Sequence, residues 1–297
     1  MEDSRKYLRP ETIAQLKNIE LKARLVVEGF ITGLHRSPFH GFSVEFAEHR
    51  QYRPGDELRH IDWKIYGRTN RHYVKQYEEE TNLRCMIAVD SSASMKYASE
   101  KQISKFEYAI YTAAAIAYMM MKQKDAVGLA LYDTEVRAFL PSKSKMSYIG
   151  ELLKTLDNAV PANETGTAAA LDRLAERISN RGLVVIISDF LDDISSIGNA
   201  LKHFRHNHHE VLAIQLLDPR ELDFQFGNSA TFKDVETGEE MVTQPYQLQK
   251  SYMRALTEHN MLLKKVCHQH NVDYTLIDTS QPFDKALLGY LAKRAKV

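Results

Sequence analysis

Residues 183–187 read Leu-Val-Val-Ile-Ile, an unbroken apolar run closed by Ser188 and Asp189. A strand with one wet face alternates apolar and polar residues, so a run without alternation predicts a strand covered on both faces. That requirement puts helices above and below a sheet and restricts the chain to an α/β layer architecture. The surrounding sequence has the matching texture. Residues 83–89, 126–131, 136–140, 211–217 and 272–277 predict further strands. Residues 104–123, 146–158, 168–179, 194–204, 246–270 and 283–293 predict helices. The stretch 221–243 is irregular, with edge strands expected around Phe224 and Phe232. Strands and helices alternating at this spacing indicate a doubly wound, mostly parallel sheet with right-handed crossovers.

Upstream, residues 13–35 predict one amphipathic helix carrying Leu16, Ile19, Ala23, Val26, Val27 and Phe30. Residues 39–80 hold short aromatic and β-branched pieces broken by Pro54-Gly55-Asp56 and Gly67, the pattern of a small strand-rich extension. The expected division is therefore 1–82, helix plus extension, and 83–297, the α/β domain. With 44% hydrophobic and 26% charged residues the chain can build a core, which excludes disorder over most of its length. Thirty-nine basic residues balance thirty-nine acidic ones, so wholesale nucleic-acid binding is not expected. The two cysteines, Cys85 and Cys267, are too sparse for a disulfide framework or a thiolate metal site. Met1-Glu2-Asp3-Ser4 carries neither a basic leader nor a hydrophobic stretch, and the most apolar segment, 111–121, is too short for a bilayer. A cytoplasmic protein without a membrane span is expected.

The chemistry concentrates after the first strong strand, in Asp90-Ser91-Ser92-Ala93-Ser94. Open α/β sheets place their binding crevice outside the carboxyl ends of the strands. Alternate positions Asp90, Ser92 and Ser94 can converge there, and a carboxylate with two hydroxyls is a hard oxygen set suited to Mg²⁺ or Mn²⁺. Three oxygens make a weak site. Asp189 adds a second carboxylate at the same sheet edge, and Thr165-Gly166-Thr167, ahead of a helix, adds a hydroxyl. The same residue types also cap helices and turns, so each piece alone is commonplace. Asp192 and Asp193 read as carboxylates at the start of the helix beginning at Ile194.

This combination resembles the von Willebrand factor A-like domain and its metal-ion-dependent adhesion site. The resemblance implies metal roles for Asp90, Ser92, Ser94, Thr167 and Asp189, with hydroxyls touching the ion and aspartates often acting through water. It also implies a protein partner whose Asp or Glu carboxylate completes the shell. Many such domains have Gly-Gly-Thr where this chain has Thr165-Gly166-Thr167, so Thr165 is the alternative to Thr167 if the loop register shifts. Glu45-Phe46-Ala47-Glu48-His49-Arg50, Tyr52-Arg53-Pro54-Gly55-Asp56 and Leu58-Arg59-His60-Ile61-Asp62-Trp63 resemble a narrower group, the bacterial domain-of-unknown-function family fifty-eight. Val74-Lys75, Glu78-Glu79-Glu80 and Ser188-Asp189-Phe190 fit the same pattern. Its members are often encoded beside MoxR-type AAA+ ATPases, which implies an adaptor or regulator for such a machine.

Arg50, Arg53, Arg59 and Arg68, with Asp56, Asp62 and Trp63, form a second candidate set. Arginine forks bind carboxylates bidentately, so the set reads as an interdomain clamp or as a surface for an acidic partner. His203, His206, His208 and His209 lack a thiolate and a zinc spacing and read as a solvated helix end. The leading reading is a noncatalytic, divalent-metal-dependent protein-binding module. The alternative is a metal-dependent phosphoester hydrolase using Asp90. Against it, Ser-Ser-Ala-Ser follows Asp90, without the second carboxylate two positions on that haloacid-dehalogenase-like phosphatases need.

Overall fold

A computed structural model describes residues 10–16, 18–34, 49–51, 66–67, 73–75, 83–162, 166–227, 230–233, 240–283 and 287. The chain divides into two compact units, Met1–Arg36 with Leu83–Val297, and Ser37–Asn82. In the smaller unit β1 (His49–Gln51) pairs antiparallel with β2 (Tyr73–Lys75), Arg50 standing opposite Val74. Arg53, Asp56, Arg59, Asp62, Trp63 and Arg68 lie outside the described residues.

The larger unit contains β3 (Arg84–Asp90), β4 (Ala126–Tyr132), β5 (Val136–Lys143), β6 (Leu183–Ser188) and β7 (Glu210–Leu217). A separate antiparallel hairpin follows, β8 (Ala230–Lys233) with β9 (Glu240–Thr243), and then β10 (Asp273–Asp278). Six strands form one sheet in the order β10-β7-β6-β3-β4-β5, every pair parallel except β4 with β5. The helices are α1 (Pro10–Ala14), α2 (Ile19–Leu34), α3 (Lys105–Lys122), α4 (Ile149–Asp157), α5 (Thr167–Arg177), α6 (Ile194–His206), α7 (Pro219–Asp223) and α8 (Pro245–Gln269). This is the expected doubly wound, mostly parallel sheet with a single antiparallel edge.

Strand pleating divides the interior in two. Cys85, Ile87 and Val89 face the layer of α2, α3 and α4, whereas Met86 and Ala88 face α5, α6 and α8. Burying each large aliphatic residue of β6 on one face or the other contributes about 1.5–3 kcal/mol, which explains why Leu183–Ser188 shows no polar alternation. Helix α3 starts with a capping box between Ser104 and Glu107 and is buried along almost its whole length. Its outer side is covered by α2, through Ala23, Val26 and Val27.

That contact corrects the expected division at residue 82. The N-terminal helix belongs with the sheet unit, because its apolar stripe needs a surface and α3 supplies one; Lys22 Nζ also donates to the Tyr111 hydroxyl at 2.7 Å. The helix expected over 13–35 is likewise two helices. Asn18 breaks it, its Oδ1 accepting from the Glu20 and Leu21 N–H groups at 2.7 and 3.3 Å, as an N-cap does. Phe232 lies on a strand as expected, but Phe224 does not. It ends α7 with φ 51° and stacks its ring on Tyr252. The helix expected over 283–293 lies largely outside the described residues.

Candidate functional site

Parallel pairing places the carboxyl ends of β3 and β6 side by side, with Val89 opposite Ile187. Asp90 closes β3, Ser188 closes β6, and Asp189 follows it directly. Beyond Asp90 the chain turns at once into a 3-10 turn over Ala93–Lys96. Asp90 Oδ1 accepts the Ser92 N–H at 2.9 Å, which folds the loop back and brings Ser92 Oγ and Ser94 Oγ to 3.1 Å of each other. Asp90 Oδ2 accepts from Ser188 Oγ at 2.6 Å and from Thr167 Oγ1 at 3.4 Å. Thr167 is the first residue of α5, so the start of that helix carries its hydroxyl to the strand ends.

Asp189 reaches the same cluster through Ser94, whose hydroxyl bonds its carboxylate. Its main-chain carbonyl is fixed by Gln215 Nε2 at 2.8 Å, and the following carbonyl, of Phe190, by His259 Nε2 at 2.8 Å. Phe190 itself is buried at φ 51°, a left-handed conformation that bulky residues rarely adopt. The sharp reversal it makes turns the chain away immediately after Asp189.

Asp90, Ser92, Ser94, Thr167 and Asp189 are therefore brought together, as the sequence reading expects. Thr165 lies outside the described residues. The remaining expectations fall as follows. Asp193 caps α6, accepting the Ser196 N–H at 2.8 Å. His203 pairs with Asp172 at 3.1 Å. Among the described residues no group of three or more His, Cys, Asp or Glu side chains is placed to hold a metal ion. The candidate cluster has only two carboxylates and draws its other oxygens from hydroxyls. That donor set fits a small hard cation: octahedral ligands at about 2.1 Å stand about 3 Å from their neighbours. The Ser92–Ser94 separation has that value, and the Asp90–Thr167 separation is slightly longer.

Sequence reasoning misses three residues of this cluster. Lys105, the first residue of α3, is 1% exposed and places Nζ 2.8 Å from Asp189 Oδ2 and 2.7 Å from Glu221 Oε1. Ser188 pins Asp90 through its hydroxyl, and Tyr132 buries its phenol against Asp90 and Ser188. Lys105 has a legible signal, since it shares one helical stripe with Ala109, Thr112 and Ile116, all fully buried.

The electrostatics divide accordingly. Burial, then the charge of Asp189, pushes the Asp90 carboxyl up to about 6 against the hydrogen bonds from Ser188 and Ser92. Burial works the same way on Asp189, but the Lys105 ammonium outweighs it and holds that carboxyl below its ordinary value. Burial also opposes the charge on Lys105, and Asp189 and Glu221 together overcome it and hold its pKa above the usual range. Glu221 stays above its ordinary value because its burial outweighs the help from Lys105.

A family described as "Protein of unknown function DUF58" matches residues 48–261. The chain belongs to the DUF58 family. Uncharacterized proteins of Mycobacterium bovis and Mycobacterium tuberculosis are 30% identical to this DUF58 chain over 294 residues, 97% of its length and 91% of theirs. Solved structures similar to it include a conserved hypothetical protein, BatB, from Bacteroides thetaiotaomicron, at 17% identity and TM-score 0.46, covering 72% of this chain and all of that one (100%). An aerotolerance-related membrane protein from Bacteroides fragilis shows 20% identity and TM-score 0.49, covering 71% of this chain and 99% of that one. Among the described residues of the DUF58 chain, no helix is long and apolar enough to cross a membrane.

Proposed function

We propose that this DUF58 chain is a noncatalytic protein-binding module whose contact with its partner runs through a divalent cation. Ser92, Ser94 and Thr167 would offer their hydroxyl oxygens to Mg²⁺ or Mn²⁺, with Asp90 beside them and Asp189 acting through water. When bound, the ion supplies Lewis acidity toward a carboxylate oxygen. An Asp or Glu of the partner would complete the shell. The observation that carries this reading is the convergence of Asp90, Ser92, Ser94 and Thr167 from two separate loops on one spot at the carboxyl edge of the sheet. Following the family resemblance, a MoxR-type AAA+ ATPase is the proposed partner, with the chain as its adaptor or regulator.

The hydrolase alternative gains nothing from this geometry. With Asp90 as nucleophile or metal ligand, Asp189 would have to position the metal or water, and its carboxylate is bonded to Lys105. The decisive experiment is co-purification of the full chain with the MoxR-type ATPase of the same genome, with Mg²⁺ and with EDTA. Complex formation in Mg²⁺ that is lost in EDTA and in Ser92→Ala is the expected result. Binding indifferent to both treatments would refute the metal-dependent mode, and phosphoester turnover abolished by Asp90→Ala would restore the enzyme.

A further inference from the structure

Lys105 is a fully buried cation inside a site otherwise built from carboxylates and hydroxyls. Its ammonium lies on Asp189 and reaches Glu221 on α7, so one side chain ties the start of α3, the end of β6 and α7 together. A structural tie needs only some carboxylate. This one takes the single carboxylate, besides Asp90, that the cluster has to offer an ion, and it does so from a helix position where an apolar residue would otherwise pack.

The arrangement matters through charge. Ionised Asp90, Asp189 and Glu221 with protonated Lys105 leave the site at a net −2, which a divalent cation brings to zero. Without Lys105 the same three carboxylates would leave the loaded site at −1, and an incoming carboxylate would meet a repulsive field inside a low-dielectric pocket. An Asp189 released from Lys105 would also be free to ligate directly and fill the position a visitor needs.

We propose that Lys105 is a positioning residue that withholds Asp189 from direct ligation, so that the site binds its cation less tightly but keeps it receptive to a partner's carboxylate. The inference rests on the metal-dependent reading above, and it assigns metal affinity and receptivity opposite dependences on one buried ammonium. Glu221 enters as the second anchor that shares Lys105 with Asp189.

The test is Mn²⁺ binding to the full chain, followed by calorimetry and by water-proton relaxation, in wild type, Lys105→Met and Glu221→Gln. Lys105→Met is expected to bind Mn²⁺ at least about tenfold more tightly, since a unit positive charge has left the neighbourhood of a doubly charged ion. Its bound Mn²⁺ is expected to lose a water as Asp189 moves in. Glu221→Gln is expected to bind about tenfold more weakly, one negative charge having been removed while Lys105 stays. A merely structural lysine gives the opposite sign, because a loosened site binds less. Unchanged or weaker Mn²⁺ binding by a natively folded Lys105→Met protein overturns the proposal. If that variant does not fold, unchanged or tighter binding by Glu221→Gln overturns it. Wild type silent toward Mn²⁺ with Lys105→Met binding it would sustain the lysine's role and defeat the adhesion reading; silence in all three defeats both.

Discussion

Asp90 and Asp189 end neighbouring parallel strands, both are fully buried, and both stand at the same edge of the sheet, yet they are stabilised in opposite ways. Among the described residues Asp90 receives neutral donors, hydroxyls and a backbone N–H, and its carboxyl is pushed up to about 6. Asp189 receives an ammonium, and its carboxyl is held below the ordinary range. The lesson is that burial alone does not decide the state of a strand-end carboxylate. The first residue of a helix on the covering layer does. One member of the pair is therefore electrostatically complete, and the other is left with charge that a cation can take up.

Substitution should expose the asymmetry most sharply. Asp189→Ala leaves Lys105 with Glu221 as its one ion-pair partner among the described residues, and breaking a buried pair this way costs about 3 kcal/mol or more. Asp90→Asn removes a charge whose burial is offset only in part by hydrogen bonds, so in EDTA at pH 7.5 its stability should stay within about 1 kcal/mol of wild type. Urea unfolding of the two variants checks this. Equal losses would mean that the two aspartates are held alike and would remove the basis of the comparison.

Much of this was legible in the chain. The unbroken run at Leu183–Ser188 fixed a strand covered on both faces, and Asp90, Ser92, Ser94, Thr167 and Asp189 announced themselves by spacing and by their position after strands. What escaped were partners set by packing across long sequence separations. Lys105 lies 84 residues from Asp189 and 116 from Glu221, and no local pattern reports such a pairing. At Asn18 two local signals compete: the apolar period runs through it, while its side chain caps the next helix. The N-terminal helix groups with the sheet unit for a different reason. An amphipathic stripe states that a covering surface exists and is silent about which unit provides it.

The hydroxyl partners give the next contrast. Ser188 Oγ donates to Asp90 at 2.6 Å, and since no cation among the described residues pairs with that carboxylate, Ser188→Ala should cost about 1.5–2 kcal/mol at pH 7.5 in EDTA. Ser94 bonds Asp189, which Lys105 already satisfies, so Ser94→Ala should cost about 0.5 kcal/mol. The unfolding midpoints of the two variants, measured side by side, test the ranking, and a larger loss at Ser94 would reverse it.

The last contrast is the pH dependence, and its sign is fixed by Asp90. Its folded pKa of about 6 lies above the ordinary 3.8, so the folded state holds the proton more tightly than the unfolded chain does. The resulting stability is fully present below pH 3.8 and is lost as pH rises through 6. Between pH 5 and pH 7 that amounts to about 1.3 kcal/mol in favour of the lower pH. Other groups titrate nearby. Glu221, also raised, adds in the same direction, whereas His209, its pKa lowered first by burial, loses stability as pH falls through 6.5. Asp189 is lowered and acts only below 3.8, outside this window. Subtracting the Asp90→Asn profile from the wild-type profile removes the shared contributions and isolates Asp90. In EDTA the difference should favour wild type progressively as pH falls from 7 to 5, and saturating Mg²⁺ should flatten it, because an ion on Asp90 competes with the proton. A flat difference in EDTA would mean that Asp90 is as well compensated as Asp189, and the unpaired charge that the metal reading depends on would be gone.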